Sequence, residues 1–192
     1  MSEPEAGTTL ALLPIDLLRW DRDGRGDLIV ACIWSDVRPL RGAAGLLDWR
    51  LCGKLSALVQ AGRLTGADDE QLLLPTGGRL PWRMAMVLGL GPSHGFTIAR
   101  FRAAIERLRT AARGLGLHDV AIAPPGRDTG ALPARRAAEL ILAEARAKAH
   151  AGWLRGLTVI DTLAAHKELV DLLPPPVPTE RRPPPPPARS AK

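Results

Sequence analysis

The sequence predicts an α/β domain: a mixed, mostly parallel sheet covered by helices. Three observations lead there. Short apolar runs alternate with longer segments of helical periodicity along residues 10–173. One run, Asp27-Leu-Ile-Val-Ala-Cys-Ile-Trp34, is apolar without alternation, as a strand covered on both faces requires. Only Thr76 to Trp82 separates two further strands, too little for a helical crossover, so that pair is antiparallel or joined by an irregular loop.

Taken in order, Ile15–Trp20 reads as a short strand and Asp27–Trp34 as the buried one. Leu46–Gln60 reads as one helix, because Leu47, Leu51, Leu55 and Leu58 recur at helical spacing and Gly62 ends the pattern. Gln71–Pro75 and Arg83–Leu90 are strands. Thr97–Arg113 is a helix with Ile98, Phe101, Ile105, Leu108 and Ala112 on one stripe and Arg102, Glu106, Arg109 and Arg113 on the other. His118–Ala123 is a strand stopped by Pro124-Pro125-Gly126. Pro133–Ala149 is a helix with proline in its first turn. Gly156–Asp161 is a last strand and Thr162–Leu173 a last helix.

Residues 1–9 read as a disordered leader, 10–173 as the domain, and 174–192 as a Pro/Arg-rich polyproline tail holding half of the 18 prolines. The net charge of +6 divides evenly. The tail has four bases and one acid; the body has 22 bases and 19 acids. The body is thus only mildly basic, and its arginine-rich composition without Asn matches a GC-rich coding sequence as well as a nucleic-acid binder. No stretch reaches the ~18 uninterrupted apolar residues of a membrane helix. The acidic, polar N-terminus is not a secretory signal, so a cytoplasmic location is expected. Two cysteines exclude a disulfide framework. Cys32 and Cys52, without neighbouring bases, are expected to be buried and inert. His94, His118, His150 and His166 lack metal-ligand spacing, and no Ser/His/Asp or paired-carboxylate arrangement emerges.

Several segments together resemble the N-terminal domain of the M17 leucyl aminopeptidases. They are Asp27-Leu-Ile-Val-Ala-Cys-Ile, Leu51-Cys-Gly-Lys-Leu-Ser-Ala-Leu, Gln71-Leu-Leu-Leu-Pro-Thr within Gly66–Pro75, and Met86-Val-Leu-Gly-Leu-Gly91 followed by a helix. Order and spacing agree from Asp27 to about Gly152. The resemblance implies a macro-like, three-layer α/β/α domain without catalytic residues. In that family the peptidase chemistry belongs to a following domain, where two metal ions are held by Lys, Asp and Glu, including an Asn-containing motif. This chain has no Asn, so peptidase activity is not carried over, and neither metal nor cofactor is expected. Macrodomains that bind ADP-ribose use an early Asp, an Asn-rich stretch and a Gly-rich loop. Here Asp36 follows the second strand rather than preceding a cleft helix, Asn is absent, and Gly42-Ala-Ala-Gly45 is only a loose stand-in for the Gly-rich loop, so the sequence argues against ordinary ADP-ribose recognition.

The leading expectation is a non-catalytic binding or assembly module acting through protein–protein contacts, as a homo-oligomer or beside a catalytic partner. Arg79, Trp82 and Trp49 are its candidate interface residues, Trp and Arg being favoured anchors; the two tryptophans are equally open to a core role. The first alternative is a nucleotide or ADP-ribose-type binder using Gly42 and Gly45 with Gly89, Gly91, Ser93 and His94. Backbone N–H groups of the latter loop would cradle phosphate, although a structural strand-to-helix turn accounts for the same glycines. The second is a DNA-binding accessory protein touching phosphates through Arg102, Arg109 and Arg113; a solvated helix face is the ordinary reading of that stripe. In the tail, Arg181, Arg182, Pro183, Pro187 and Arg189 fit a polyproline ligand with basic flanks, or a stiff spacer.

Overall fold

The computed structural model describes residues 8–146 and 153–173. Among them, strands β1 (Thr9–Pro14), β2 (Gly26–Ile33), β3 (Gln71–Pro75), β4 (Trp82–Gly89), β5 (Asp119–Ile122) and β6 (Gly156–Asp161) form one sheet. The helices are α1 (Leu17–Asp23), α2 (Gly42–Arg50), α3 (Lys54–Gln60), α4 (Ile98–Gly114), α5 (Ala134–Arg146) and α6 (Leu163–Leu169). The strand order is β1-β6-β5-β2-β4-β3. All neighbours are parallel except β3 and β4, whose short connection makes them antiparallel. The sheet is therefore mixed and mostly parallel, as predicted.

β2 explains its own lack of alternation. Leu28 and Val30 point into a core shared with α4, α5 and α6, while Ile29, Ala31 and Ile33 point into a second core under α1, α2 and α3. Both faces are covered from Leu28 to Ile33, so every position in that stretch is apolar. α4 follows its predicted stripe. Phe101, Ala104, Ile105, Leu108 and Ala112 are buried and Thr97 Oγ1 accepts from Arg100 N at 3.3 Å, whereas Ile98 in the first turn is partly exposed. Each fully buried Leu, Ile or Phe stabilises by about 1.5–3 kcal/mol, so this stripe rather than helix propensity anchors α4.

Several elements differ from the sequence-based expectation. The strand expected at Ile15–Trp20 is the start of α1: Asp16 accepts from Arg19 N at 2.9 Å and caps the helix. The edge strand lies just before it and starts at Thr9, inside the expected leader. Trp20, fully buried, donates from Nε1 to Pro14 O at 2.8 Å and packs edge-on against Trp82 at 5.9 Å. The helix expected over Leu46–Gln60 is two helices, α2 and α3. Cys52 (φ 56°) and Gly53 (φ 76°) turn the chain in left-handed conformations, and the Asp48 carboxylate caps α3 at Leu55 N (2.8 Å) and Ser56 N (3.1 Å). Leu47, Leu51 and Leu55 still share one core, which is why the spacing read as continuous. Cys52, expected to be buried, is exposed at this junction, its thiol against the Arg79 guanidinium. The last helix stops at Leu169 and tightens into a 3-10 turn at Val170–Leu172. The continuation expected for α5 to Ala149 and the tail from Pro174 lie outside the described residues.

Candidate functional site

β2 and β5 are adjacent and parallel, yet the chain leaves them toward opposite faces. α2 follows β2 and packs with Ile29; α5 follows β5 and packs on the other side with Val30. Open α/β sheets bind ligands beyond the strand C-termini where connections diverge in this way. The divergence here leaves a cleft of about 230 Å³. Ile15, Cys32, Ala123, Pro124 and Ile160 give it apolar walls; Arg41, Arg127, Asp128, Asp161 and Thr162 give it polar groups.

α2 presents its first turn to the cleft. Arg41 at the N-cap makes no side-chain capping bond, and the first intrahelical bond runs from Gly45 N to Arg41 O. The N–H groups of Gly42, Ala43 and Ala44 thus lack intrahelical acceptors and carry the positive end of the helix dipole. Gly42 is needed in the left-handed region, at φ 53°. Arg41 is exposed and forms no ion pair among the described residues.

The opposite wall is internally neutralised. Arg127 Nε donates to Asp161 Oδ2 at 2.7 Å, Nη2 to Oδ1 at 3.2 Å and Nη1 to Leu132 O at 2.8 Å. Asp161, 2% exposed, also accepts from Thr162 N at 2.7 Å. This fork-shaped pairing lets the carboxylate survive burial. Asp128, the next residue along, is exposed as a whole but turns its carboxyl inward: both oxygens lie 3.0 Å from Trp34 Nε1. Loss of water at that wall pushes the Asp128 carboxyl above its usual range, against the Trp34 hydrogen bond and the neighbouring Arg41, which both pull it down. Trp34, 1% exposed, is set edge-on to Phe96 at 5.0 Å. Burial pushes the Cys32 thiol far up, so at the cleft floor it is an inert apolar group.

The model of the cytosol aminopeptidase family, N-terminal domain, matches residues 29–150. The chain belongs to the cytosol aminopeptidase family by its N-terminal domain. A probable cytosol aminopeptidase of Alkaliphilus metalliredigens is 28% identical over 100 residues, 52% of this chain. The chain matches only 20% of that relative's length. Among solved structures, the DarG macrodomain of Mycobacterium tuberculosis is similar at TM-score 0.59 and 19% identity, covering 81% of this chain and 99% of its own. The Trypanosoma brucei macrodomain in complex with ADP is similar at TM-score 0.64 and 19% identity, covering 84% and 66%. A tomato leucine aminopeptidase mutant is similar at TM-score 0.57 and 15% identity, covering 88% and 36%. These likenesses establish a macro-like fold.

Within this aminopeptidase N-terminal domain the predicted ligand residues do not come together. Gly42 lines the cleft; Gly45 does not, and packs instead under Leu40 O. The Gly89–Gly95 loop lies apart from the cleft lining and is consumed by its own contacts. Arg100 donates to Leu90 O and Pro92 O and pairs with Asp68, and Arg107 Nη2 donates to Gly89 O at 2.6 Å. A Cβ on Gly89 would collide with Ala67 O, and one on Gly91 with Arg100 and Asp68. Ser93 donates from N (2.8 Å) and Oγ (3.0 Å) to Asp36, and exposed His94 lies 3.6 Å from the same carboxylate. Those Ser93 bonds, the backbone one first, hold the Asp36 carboxyl below its usual range.

Of the interface candidates, Trp82 is 1% exposed and belongs to the core. Trp49 is 67% exposed with the Arg50 guanidinium 5.8 Å from its ring, and Arg79 is exposed. On the arginine stripe, Arg102 pairs with Glu144 at 3.6 Å and Arg109 with Glu106 at 2.8 Å, leaving Arg113 exposed at the helix end. Arg181, Arg182, Pro183, Pro187, Arg189 and His150 lie outside the described residues. Among the described residues no group of His, Cys, Asp and Glu could hold a metal ion, and no helix is long and apolar enough to cross a membrane.

Sequence reasoning missed Arg41, Trp34, Arg127, Asp128 and Asp161. One signal was available: each follows or ends a predicted parallel strand, where the fold class alone places ligand sites.

Proposed function

We propose that this chain is a non-catalytic binding module that takes a compact anionic ligand of the nucleotide class in the cleft between α2 and the β5–α5 loop. The observation that supports it is the meeting, at the sheet's switch point, of an apolar cleft with the exposed Arg41, which forms no ion pair among the described residues, and the open first turn of α2. The relative solved in complex with ADP has the same fold, which makes ADP the natural first probe. The family resemblance assigns peptidase chemistry to a different domain, so purified protein is expected to release no leucine from leucyl-p-nitroanilide with or without divalent metal. Calorimetric titration with ADP and ADP-ribose tests the reading. Saturable binding near one ligand per chain supports it; flat titrations with both, or metal-dependent leucine release, overturn it.

A second reading is favoured by Trp49. An indole 67% exposed beside Arg50 has the composition of an interface anchor. On this reading the module assembles with itself or a catalytic partner. Light scattering would give a mass above one chain that Trp49→Ser returns to one; a monomer before the substitution removes self-assembly.

A further inference from the structure

Asp128 is an odd residue for a cleft that takes anions. It lines the cleft, and its Cβ is 3.7 Å from where a Cβ on Gly42 would stand, so it sits against the turn that starts α2. Its carboxyl reaches down to Trp34 Nε1, and it also lines the small cavity beneath, with Val37, Leu40 and Ala44. Trp34 in turn holds the ring of Phe96 edge-on, and Gly126, two residues before Asp128, packs so closely on that ring that a Cβ would collide with it. The loops after β2, β4 and β5 therefore meet at one indole, and Asp128 supplies its hydrogen-bond acceptor.

We propose that Asp128 is a charge gate for the cleft. Its carboxylate, anchored on Trp34 Nε1 beside Arg41 and Gly42, holds the place of an incoming anion, and neutralising it opens the cleft to one. This rests on the nucleotide reading above and adds its regulation.

The charged and titratable groups around the gate are few. Arg41, from the β2–α2 loop, forms no ion pair among the described residues and is the cation it screens. Arg127, its neighbour in the β5–α5 loop, is committed to Asp161 at the end of β6. Cys32, on β2, feels Asp128 but is held as a neutral thiol by burial. Burial makes the carboxyl easier to protonate than a free one, so acidification and anion binding favour the same neutral state. By linkage, protons and ligand then help each other to bind.

The test uses the full chain and Asp128→Asn, which keeps an oxygen for Trp34 Nε1 while removing the charge; Asp128→Ser is a second neutral variant. Each is titrated with ADP at matched pH from 4 to 8, starting near the usual carboxylate value, so that ADP's own protonation cancels in the comparison. The Trp34 indole N–H resonance is followed in the same samples without ligand. Both neutral variants are expected to bind ADP about tenfold more tightly than the parent at pH 8, one opposing charge at this range being worth about one pK unit. The gap should close as the pH falls. The Trp34 resonance should titrate in the parent and stay still in Asp128→Asn. Equal ADP affinity of parent and variants at pH 8 overturns the gate and leaves the cleft reading standing. Absence of ADP binding in all three overturns the cleft reading itself. A Trp34 resonance indifferent to pH in the parent overturns the link between the gate and the indole.

Discussion

Two places at the C-terminal end of the sheet invite a ligand, and they differ in what their polar groups are already doing. The Gly89–Gly95 loop has the glycines, the apolar strand before it and the helix after it. Its carbonyls are bound by Arg100 and Arg107, and Ser93 is spent on Asp36. The cleft between α2 and the β5–α5 loop has fewer glycines but leaves Arg41 and the first turn of α2 unspent. Glycine in the first place answers to close packing: the chain around Gly66–Ala67 leaves no room for a Cβ at Gly89. A glycine-rich loop shows that backbone comes close to something, and only the structure says whether that something is a ligand or the protein itself.

The comparison can be broken in several ways, starting with the largest effect. Arg127→Ala would leave the Asp161 carboxylate, 3% exposed at its side chain, without its counter-ion. A loss of about 3–5 kcal/mol in urea unfolding is expected, and a loss below about 1 would mean that the cleft wall is not held by this pair. Gly89→Ala should cost about 3 kcal/mol, because the collision is with backbone rather than with a flexible side chain. A neutral result would return that loop to the list of open sites. Arg100→Ala should cost about 1–2 kcal/mol through its lost carbonyl and carboxylate partners, without changing ADP affinity at the cleft. Arg41→Ala reverses that pattern: stability should stay within about 0.5 kcal/mol while ADP affinity falls about tenfold.

The smallest effect concerns pH. Burial raises the folded-state pKa of Asp128 above its unfolded value, so the folded protein binds the proton more tightly there. The stability this group contributes is present at low pH and is lost as the pH rises from about 4, the unfolded value, through the folded pKa. Asp128→Asn should therefore gain stability relative to the parent as the pH climbs from 4 to 7, read from paired unfolding curves. A difference that shrinks over that interval would contradict the assigned direction.

Much of the fold was legible in the sequence because it depends on periodicity. β2, β3, β4, α4 and β6 lie within a residue or so of where apolar spacing puts them. α1 was not legible by spacing, since a seven-residue helix with a single buried tryptophan has no period to read; Asp16, as an N-cap, was the available signal. The break between α2 and α3 was hidden for the opposite reason: both helices keep their leucines on one core, so the period runs through the turn. The cleft was least legible. Arg41, Asp128 and Asp161, with Trp34 beneath Asp128, come from three segments far apart in the chain, and only the crossing of connections between β2 and β5 brings them together. No local motif records that crossing.

The most direct test of the central claim is a backbone amide NMR titration of the full chain with ADP. The account predicts shifts concentrated at Gly42–Ala44, Ala123–Asp128 and Asp161–Thr162, with Gly89–Gly95 unmoved. Shifts confined to Gly89–Gly95, or none at saturating ADP, would contradict it.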